Sequence, residues 1–179
     1  MTLLFRSYAG SILHGLATPS SDIDVFEVYS EGFGIPSSSH DLKREIQTIK
    51  GKDDVTKITL SRFMQRSMEG SHQCLDAMFS SIPDVDEISA LRKSFYCGNN
   101  TVGTFRRSIR EMAFQKVPKK RRHAVRVTLN LTQIMERGRY EPRLTEAEMK
   151  FTDEISRLPI DEFYAAIQKL APIDLSLTK

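Results

Sequence analysis

The amino-acid sequence predicts an α+β fold: a small mixed β-sheet with helices near the N-terminus, followed by an all-helical C-terminal part. Runs of β-branched and apolar residues, which favour strands, lie within the first third of the chain. From Ser61 onward, apolar residues recur at spacings of three and four, which is typical of amphipathic helices. The 179 residues suffice for one domain with a helical extension. We therefore assign residues 1–82 to the core and residues 83–179 to the helical part.

Four strands are predicted in the core. Gly, Pro and Ser dominate residues 30–42, so we expect a mobile loop there, in which His40 is solvated. The small residues between the first two strands predict a further loop. The predicted strands are residues 2–8, 23–29, 43–50 at a sheet edge, and 55–60.

Helix starts and stops follow from capping residues. Thr145 and Glu148 form a capping box, and Pro118 suits the first turn of a helix that Gly138 ends. Asp76 is expected to be a solvated residue of its helix, and the alternative is that it faces the functional site. Helices are predicted to begin at or beside Ser61, Ser71, Asp86, Asn99 or Thr101, Pro118, Thr145 and Pro159.

Two aspartates at the start of the second strand are the main candidates for chemistry. Side chains two apart in a strand share a face, so Asp22 and Asp24 project together while Ile23 and Val25 face the core. Neighbouring carboxylates repel each other unless a cation, a proton or an arginine lies between them. Carboxylate oxygens are the ligands that Mg²⁺ prefers, and two such ions about 4 Å apart can bind both oxygens of a phosphoryl transfer.

A Gly-Ser pair lies ten residues before the first of these aspartates. Gly10 permits a close approach of the backbone to a phosphate, and the hydroxyl of Ser11 can bind its oxygens. The alternative is an ordinary turn followed by a strand with two solvated aspartates. The spacing of the pair from Asp22, with predicted strands on both sides, favours a phosphate site.

The pattern GSILHGLATPSSDIDV resembles the signature of the DNA polymerase β-type nucleotidyltransferase superfamily, and in particular its small stand-alone predicted members from bacteria and phages. The resemblance implies that Gly10, Ser11 and Ser21 bind a nucleoside triphosphate and that Asp22 and Asp24 bind two Mg²⁺ ions. Many members have a helix before the first strand, whereas this chain starts almost at the strand.

A third carboxylate from a later strand is usual in that superfamily, near the attacking hydroxyl. Asp54 opens the strand at 55–60, and the resemblance therefore implies that it is the third metal ligand and accepts the acceptor's proton. Asp53 is the competing choice, and a merely polar turn is the alternative to both.

A basic segment lies in the helical part. Between Arg106 and Arg126 there are nine Lys or Arg residues and one acid, Glu111, although the whole chain carries only +3. Such a concentration of positive charge indicates an anionic partner, either the triphosphate tail or a nucleic-acid acceptor. The alternative is a basic face that contacts only solvent. His123 and Arg126 resemble a His-x-x-Arg stretch of related proteins, so we expect contact with substrate phosphate from Lys120, His123 and Arg126.

Composition excludes several classes of protein. The sequence has no apolar run long enough to span a membrane, and its N-terminal apolar segment is too short for a signal peptide. Cys74 and Cys97 lack the spacing of a zinc site and suit a reducing compartment, so we expect a cytoplasmic protein.

The expected activity is transfer of a nucleoside monophosphate from a nucleoside triphosphate, with ATP favoured, to an acceptor, releasing pyrophosphate. The acceptor stays open: a protein, a nucleic acid, a nucleotide or a small molecule. Two alternatives to this activity remain. The first is a nucleotide-binding regulator without turnover, and the second is a nucleic-acid-binding module that works through its basic helices.

Overall fold

The computed structural model describes residues 2–30, 45–50, 53–80, 86–115 and 117–171; for residues 45–47, 50, 53, 86 and 87 the description is limited to the backbone. Several predicted features lie outside the described residues. They are residues 31–42 of the predicted loop, with His40, the start of the predicted strand at residues 43 and 44, and Lys116 of the basic segment.

A four-stranded mixed sheet forms the core of the N-terminal part, as predicted. Its strands are β1 (Leu3–Tyr8), β2 (Asp24–Tyr29), β3 (Glu45–Lys50) and β4 (Asp53–Thr59), in the order β1-β2-β4-β3. β1 is antiparallel to β2, β2 is parallel to β4, and β3 is antiparallel to β4. β3 therefore lies at an edge, where the sequence places it, and the parallel pair β2–β4 occupies the centre.

Four helices accompany this sheet. The shortest of them, α1, was expected to be part of a loop; its four residues are too few for any periodicity to reveal a helix. The N-cap of α2 is Thr59 and not Ser61, because the backbone of Thr59 is extended and its hydroxyl accepts a hydrogen bond from the Arg62 N–H. The helices are α1 (Gly10–Leu13), α2 (Leu60–Met68), α3 (His72–Phe79) and α4 (Asp86–Ser94).

One face of the sheet packs against α2. The Phe63 ring lies 5.5 Å from that of Phe5 and 6.0 Å from that of Phe26. Phe26 is 2% exposed and shares its face of β2 with Asp24, whereas Ile23 is 44% exposed. Of the two residues predicted to face the core, Val25 is buried as expected and Ile23 is not. The predicted site face is wrong in that Phe26 lies in the core. Asp24 stands on the same face as Phe26, at the first residue of β2, and is half-buried.

The opposite face of the sheet carries a row of charges. The Glu27 carboxylate lies 3.5 Å from Arg6 Nε and 3.9 Å from Lys57 Nζ, its register neighbours on both sides. It also accepts a hydrogen bond of 2.8 Å from the Tyr29 hydroxyl. Burial, this hydrogen bond and the charge of Glu27 all raise the pKa of Tyr29. Glu27 thus links the three strands β1, β2 and β4.

The C-terminal part is helical, as predicted. α6 begins with Pro118 and ends at Gly138, and the capping box of Thr145 and Glu148 starts α7. The helices of the C-terminal part are α5 (Asn99–Ala113), α6 (Pro118–Arg137), α7 (Glu146–Ser156) and α8 (Ile160–Leu170). Its core consists mainly of Phe105, Ile109, Leu131, Ile134, Phe163 and Ile167.

The chain divides into two compact units, Met1–Phe95 and Tyr96–Lys179. The sequence analysis places this boundary after residue 82, and the difference is α4. Arg92 of α4 donates hydrogen bonds to the carbonyls of Met78 and Ser80 at the end of α3, which ties α4 to the first unit. Among the residues described, no helix combines the length and the apolar character needed to cross a membrane.

Replacing Glu27 by Gln should lower the free energy of unfolding by about 1–2 kcal/mol, because a charged acceptor between two cations is lost from a buried position. Chemical denaturation measures the change. Glu136→Gln, on an exposed carboxylate of α6, is the control and should change stability by less than about 0.5 kcal/mol. Equal losses in the two variants would contradict the role assigned to Glu27.

Candidate active site

The parallel pairing of β2 and β4 brings two aspartates side by side. Asp24 and Asp54 are register partners, and the Asp54 N–H donates to the Ile23 carbonyl at 3.0 Å. Neighbouring strands lie about 4.8 Å apart, and partners in register point to the same face. Two aspartates far apart in sequence thus become neighbours where the two central strands, β2 and β4, begin.

Gly10 fits closely against the first of these aspartates. Its φ is +56°, a conformation that favours glycine, and a Cβ at this position would lie 1.9 Å from Asp24 Oδ2. The Ala9 N–H donates to the Asp24 carbonyl at 2.8 Å, which holds the turn against β2. No side chain fits at residue 10 while Asp24 keeps this position, so the glycine and the aspartate form one structural unit.

Ser11 follows directly and is buried, with an exposed fraction of 8%. Within the described part of the chain, its hydroxyl has no hydrogen-bond partner. A buried hydroxyl without a partner costs about 1–3 kcal/mol, which an acceptor such as a phosphate oxygen would recover. The free hydroxyl one residue from the Gly10–Asp24 contact is the feature of this site that best fits an anionic ligand.

Ser21 shapes the chain between α1 and β2. Its hydroxyl accepts a hydrogen bond of 2.9 Å from the Thr18 N–H, and its own N–H donates to the Thr18 carbonyl at 2.9 Å. Ser21 thereby closes a turn just before Asp22. The resemblance implies nucleotide binding by Ser21, whereas the observed contacts give it a role in placing the aspartates.

The side chains fit a magnesium site in kind, since all three candidates carry carboxylate oxygens. Asp24 and Asp54 are register partners, and Asp22 lies two residues before Asp24, just ahead of β2. In the described residues, however, no group of three or more His, Cys, Asp or Glu side chains is close enough to hold a metal ion. The side chain of Asp53, the competing third ligand, lies outside the described residues. The carboxylates thus provide a pair, and a third ligand would have to move or come from the substrate.

The predicted phosphate-binding cations belong to the second unit. Along α6, Lys120 is exposed, His123 is half-buried, and Arg126 is only 3% exposed. They follow each other at intervals of three residues and lie along one side of the helix. Arg126 is thus buried within the helical unit. A basic residue on a solvated helix face would instead be exposed.

Two other arginines of the basic segment have structural contacts. Arg122 Nε lies 2.7 Å from Asp153 Oδ1 on α7. Arg121 donates to the Leu158 carbonyl at 3.0 Å and lies over the Phe163 ring at 5.2 Å. These contacts join α6 to α7 and α8, so part of the charge that indicates an anionic partner serves the fold.

Sequence analysis missed one pair near the site. His14 directly follows α1 and is fully buried, and its Nε2 lies 3.3 Å from Asp76 Oδ2 on α3. Asp76 is 5% exposed, so the expectation of a solvated residue is wrong. The five residues from Cys74 to Met78 are all buried, because α3 is enclosed on every side. The apolar residues that flank Asp76 were the available indication.

Comparison with known proteins adds no family assignment. The sequence matches no protein-family model and has no significant match among curated proteins.

Gly10→Ala should displace Asp24 and destabilise the protein more than Gly138→Ala. Both glycines have positive φ, and an alanine in this region costs about 1–2 kcal/mol, but only Gly10 would also clash with a neighbour. Denaturation of both variants measures the difference. Equal losses of stability would contradict the contact between Gly10 and Asp24.

Arg121→Ala should lower the free energy of unfolding by about 1–2 kcal/mol, since it removes a hydrogen bond and a cation–π contact. Lys120→Ala, one residue earlier and exposed, is the matched control and should change it by less than about 0.5 kcal/mol. Thermal unfolding at fixed salt compares the two. A neutral Arg121→Ala would return Arg121 to the set of cations open to a ligand.

Proposed function

We propose that this protein is a metal-dependent nucleotidyltransferase, which transfers a nucleoside monophosphate from a nucleoside triphosphate to an acceptor and releases pyrophosphate. The observation that carries the proposal is the pairing of Asp24 with Asp54 at the point where the Asp24 carboxylate contacts Gly10. Paired carboxylates beside a Gly-Ser turn suit a phosphate ligand accompanied by divalent cations.

Each residue of the site then has a role. Asp22 and Asp24 would hold Mg²⁺, with Asp54 as the third carboxylate, and the bound ions would neutralise charge on the triphosphate. Gly10 lets the backbone approach the phosphates, and the buried Ser11 hydroxyl donates to a phosphate oxygen. Ser21 keeps Asp22 in place through the turn that it closes.

The reaction is an in-line displacement at the α-phosphorus. An acceptor hydroxyl forms a bond to that atom, the bond to the bridging oxygen breaks, and pyrophosphate leaves with the electron pair. The proton of the hydroxyl passes to the carboxylate of Asp54, which lies next to Asp24. Such a transfer depends chiefly on placement and charge neutralisation, both of which a rigid sheet edge supplies.

The basic side of α6 supports phosphate binding by the second unit, considered by itself. Lys120, His123 and Arg126 pass from exposed to buried along the helix, which suits a ligand that is partly enclosed. Phosphate binding on α6 is the second part of the proposal and is independent of the carboxylates of the first unit. The acceptor, the base preference and the cytoplasmic location stay predictions.

Incubation with each labelled nucleoside triphosphate and Mg²⁺, with and without cell extract, tests the proposal. We expect label from the α-phosphate, and not from the γ-phosphate, to appear on one acceptor, together with pyrophosphate. Binding of nucleotide without release of pyrophosphate would instead support a regulator. Salt-sensitive binding of nucleic acid without consumption of nucleotide would support a nucleic-acid-binding module.

Replacing Asp22, Asp24 or Asp54 by Asn should each abolish transfer while changing the unfolding temperature little, because each removes a charge from the site and keeps the shape of the side chain. Transfer of α-label and thermal unfolding are measured on the same preparations. Asp161→Asn, at an exposed position of α8, is the control and should retain full activity. Wild-type transfer by the Asp24→Asn variant would reject the assignment.

A further inference from the structure

The turn that carries Gly10 and Ser11 needs support from the rest of the fold. α1 has only four residues, and a helix of this length is unstable alone, because nucleation costs more than one turn returns. Its closing hydrogen bonds are long: the Leu13 N–H lies 3.5 Å from the Ala9 carbonyl and the His14 N–H lies 3.4 Å from the Gly10 carbonyl. Tertiary contacts must therefore hold the turn in place.

Two of these contacts come from the backbone. The Ala9 N–H donates to Asp24 on β2, and the Leu16 N–H donates to the Ser11 carbonyl, each at 2.8 Å. They fix the entrance of the turn and close the turn on itself. Neither connects the exit of α1 to the helical layer.

The side chain of His14 makes that connection. His14 is the residue that ends α1, and its imidazole reaches Asp76 in the middle of α3. Both groups are buried, and burial of a carboxylate is expensive unless a donor or a cation accompanies it. The pair is therefore held at a defined distance, and any displacement of α1 would separate it.

We propose that His14 and Asp76 are a positioning pair that keeps the Gly10–Ser11 turn in its binding conformation and so sets the affinity of the site for a nucleoside triphosphate. The proposal rests on the proposed function in its second half only. Neither residue needs to touch the ligand. The contact of His14, three residues after Ser11, holds the backbone that carries the Ser11 hydroxyl.

Hydrogen exchange tests the first half without any nucleotide. Asp76→Asn should speed exchange of the His14 and Leu16 amides about tenfold or more, since local opening of α1 becomes easier. Ser80→Ala is the control: it removes the 3.1 Å hydrogen bond between Ser80, the C-cap of α3, and Ser7 on β1, and that of the Ser80 hydroxyl to the Ala77 carbonyl. Neither bond involves α1. This variant should not change exchange at His14 and Leu16. If both variants speed these amides alike, or neither does, the pair does not hold the turn.

Steady-state kinetics test the second half. In the Asp76→Asn variant the KM for ATP should rise by about ten- to hundredfold while kcat stays within about twofold, because loss of binding shared by ground state and transition state raises KM alone. An unchanged KM with faster exchange would overturn the role in nucleotide affinity. His14→Gln probes the same contact from the other side if Asp76→Asn does not fold.

The two proposals fail in different ways. If the wild-type protein transfers no nucleotide and binds none, the proposed function falls, and the exchange rates still decide whether His14 and Asp76 hold α1. If transfer is present but the KM of Asp76→Asn and Ser80→Ala is that of the wild type, the enzyme stands and the positioning pair falls.

Discussion

The parallel pairing of β2 with β4 is the constraint on which the rest of the site depends. The chain leaves β2, forms the edge strand β3, and returns as β4 between them, so that the starts of the two parallel strands coincide. A carboxylate at each start is then a neighbour of the other at about one strand spacing. An antiparallel arrangement of the same two strands would put Asp24 opposite the end of β4 and leave the two acids at different ends of the sheet.

Close packing against this edge accounts for the residues around it. The contact between Gly10 and Asp24 excludes any side chain at position 10, and the short helix α1 begins there because the chain must turn immediately after β1. A buried hydroxyl at Ser11 and the buried contact of His14 with Asp76 follow within four residues. The turn therefore concentrates polar groups in a layer that is otherwise apolar, an arrangement that is costly unless it serves binding.

The second unit uses its charges in two ways. Arg121 and Arg122 bind α7 and α8 through a carbonyl, an aromatic ring and a carboxylate, whereas Lys120 remains exposed. A count of charges along the sequence treats these residues alike. Only their position around α6 separates a cation that stabilises the helical unit from one that an anion can reach.

Local chemistry in the sequence determined much of this protein: the alternating strands, the capping box at Thr145, the proline and glycine that bound α6, and the Gly-Ser and Asp-x-Asp motifs are all decided by neighbours within a few residues. The tertiary structure alone decided the register that pairs Asp24 with Asp54, the packing of the face of Phe26 against α2, and the contact of His14 with Asp76. The reason is physical. Strand register and the burial of a polar residue depend on partners 30 to 60 residues away, and spacing along the chain carries no record of which partner is met.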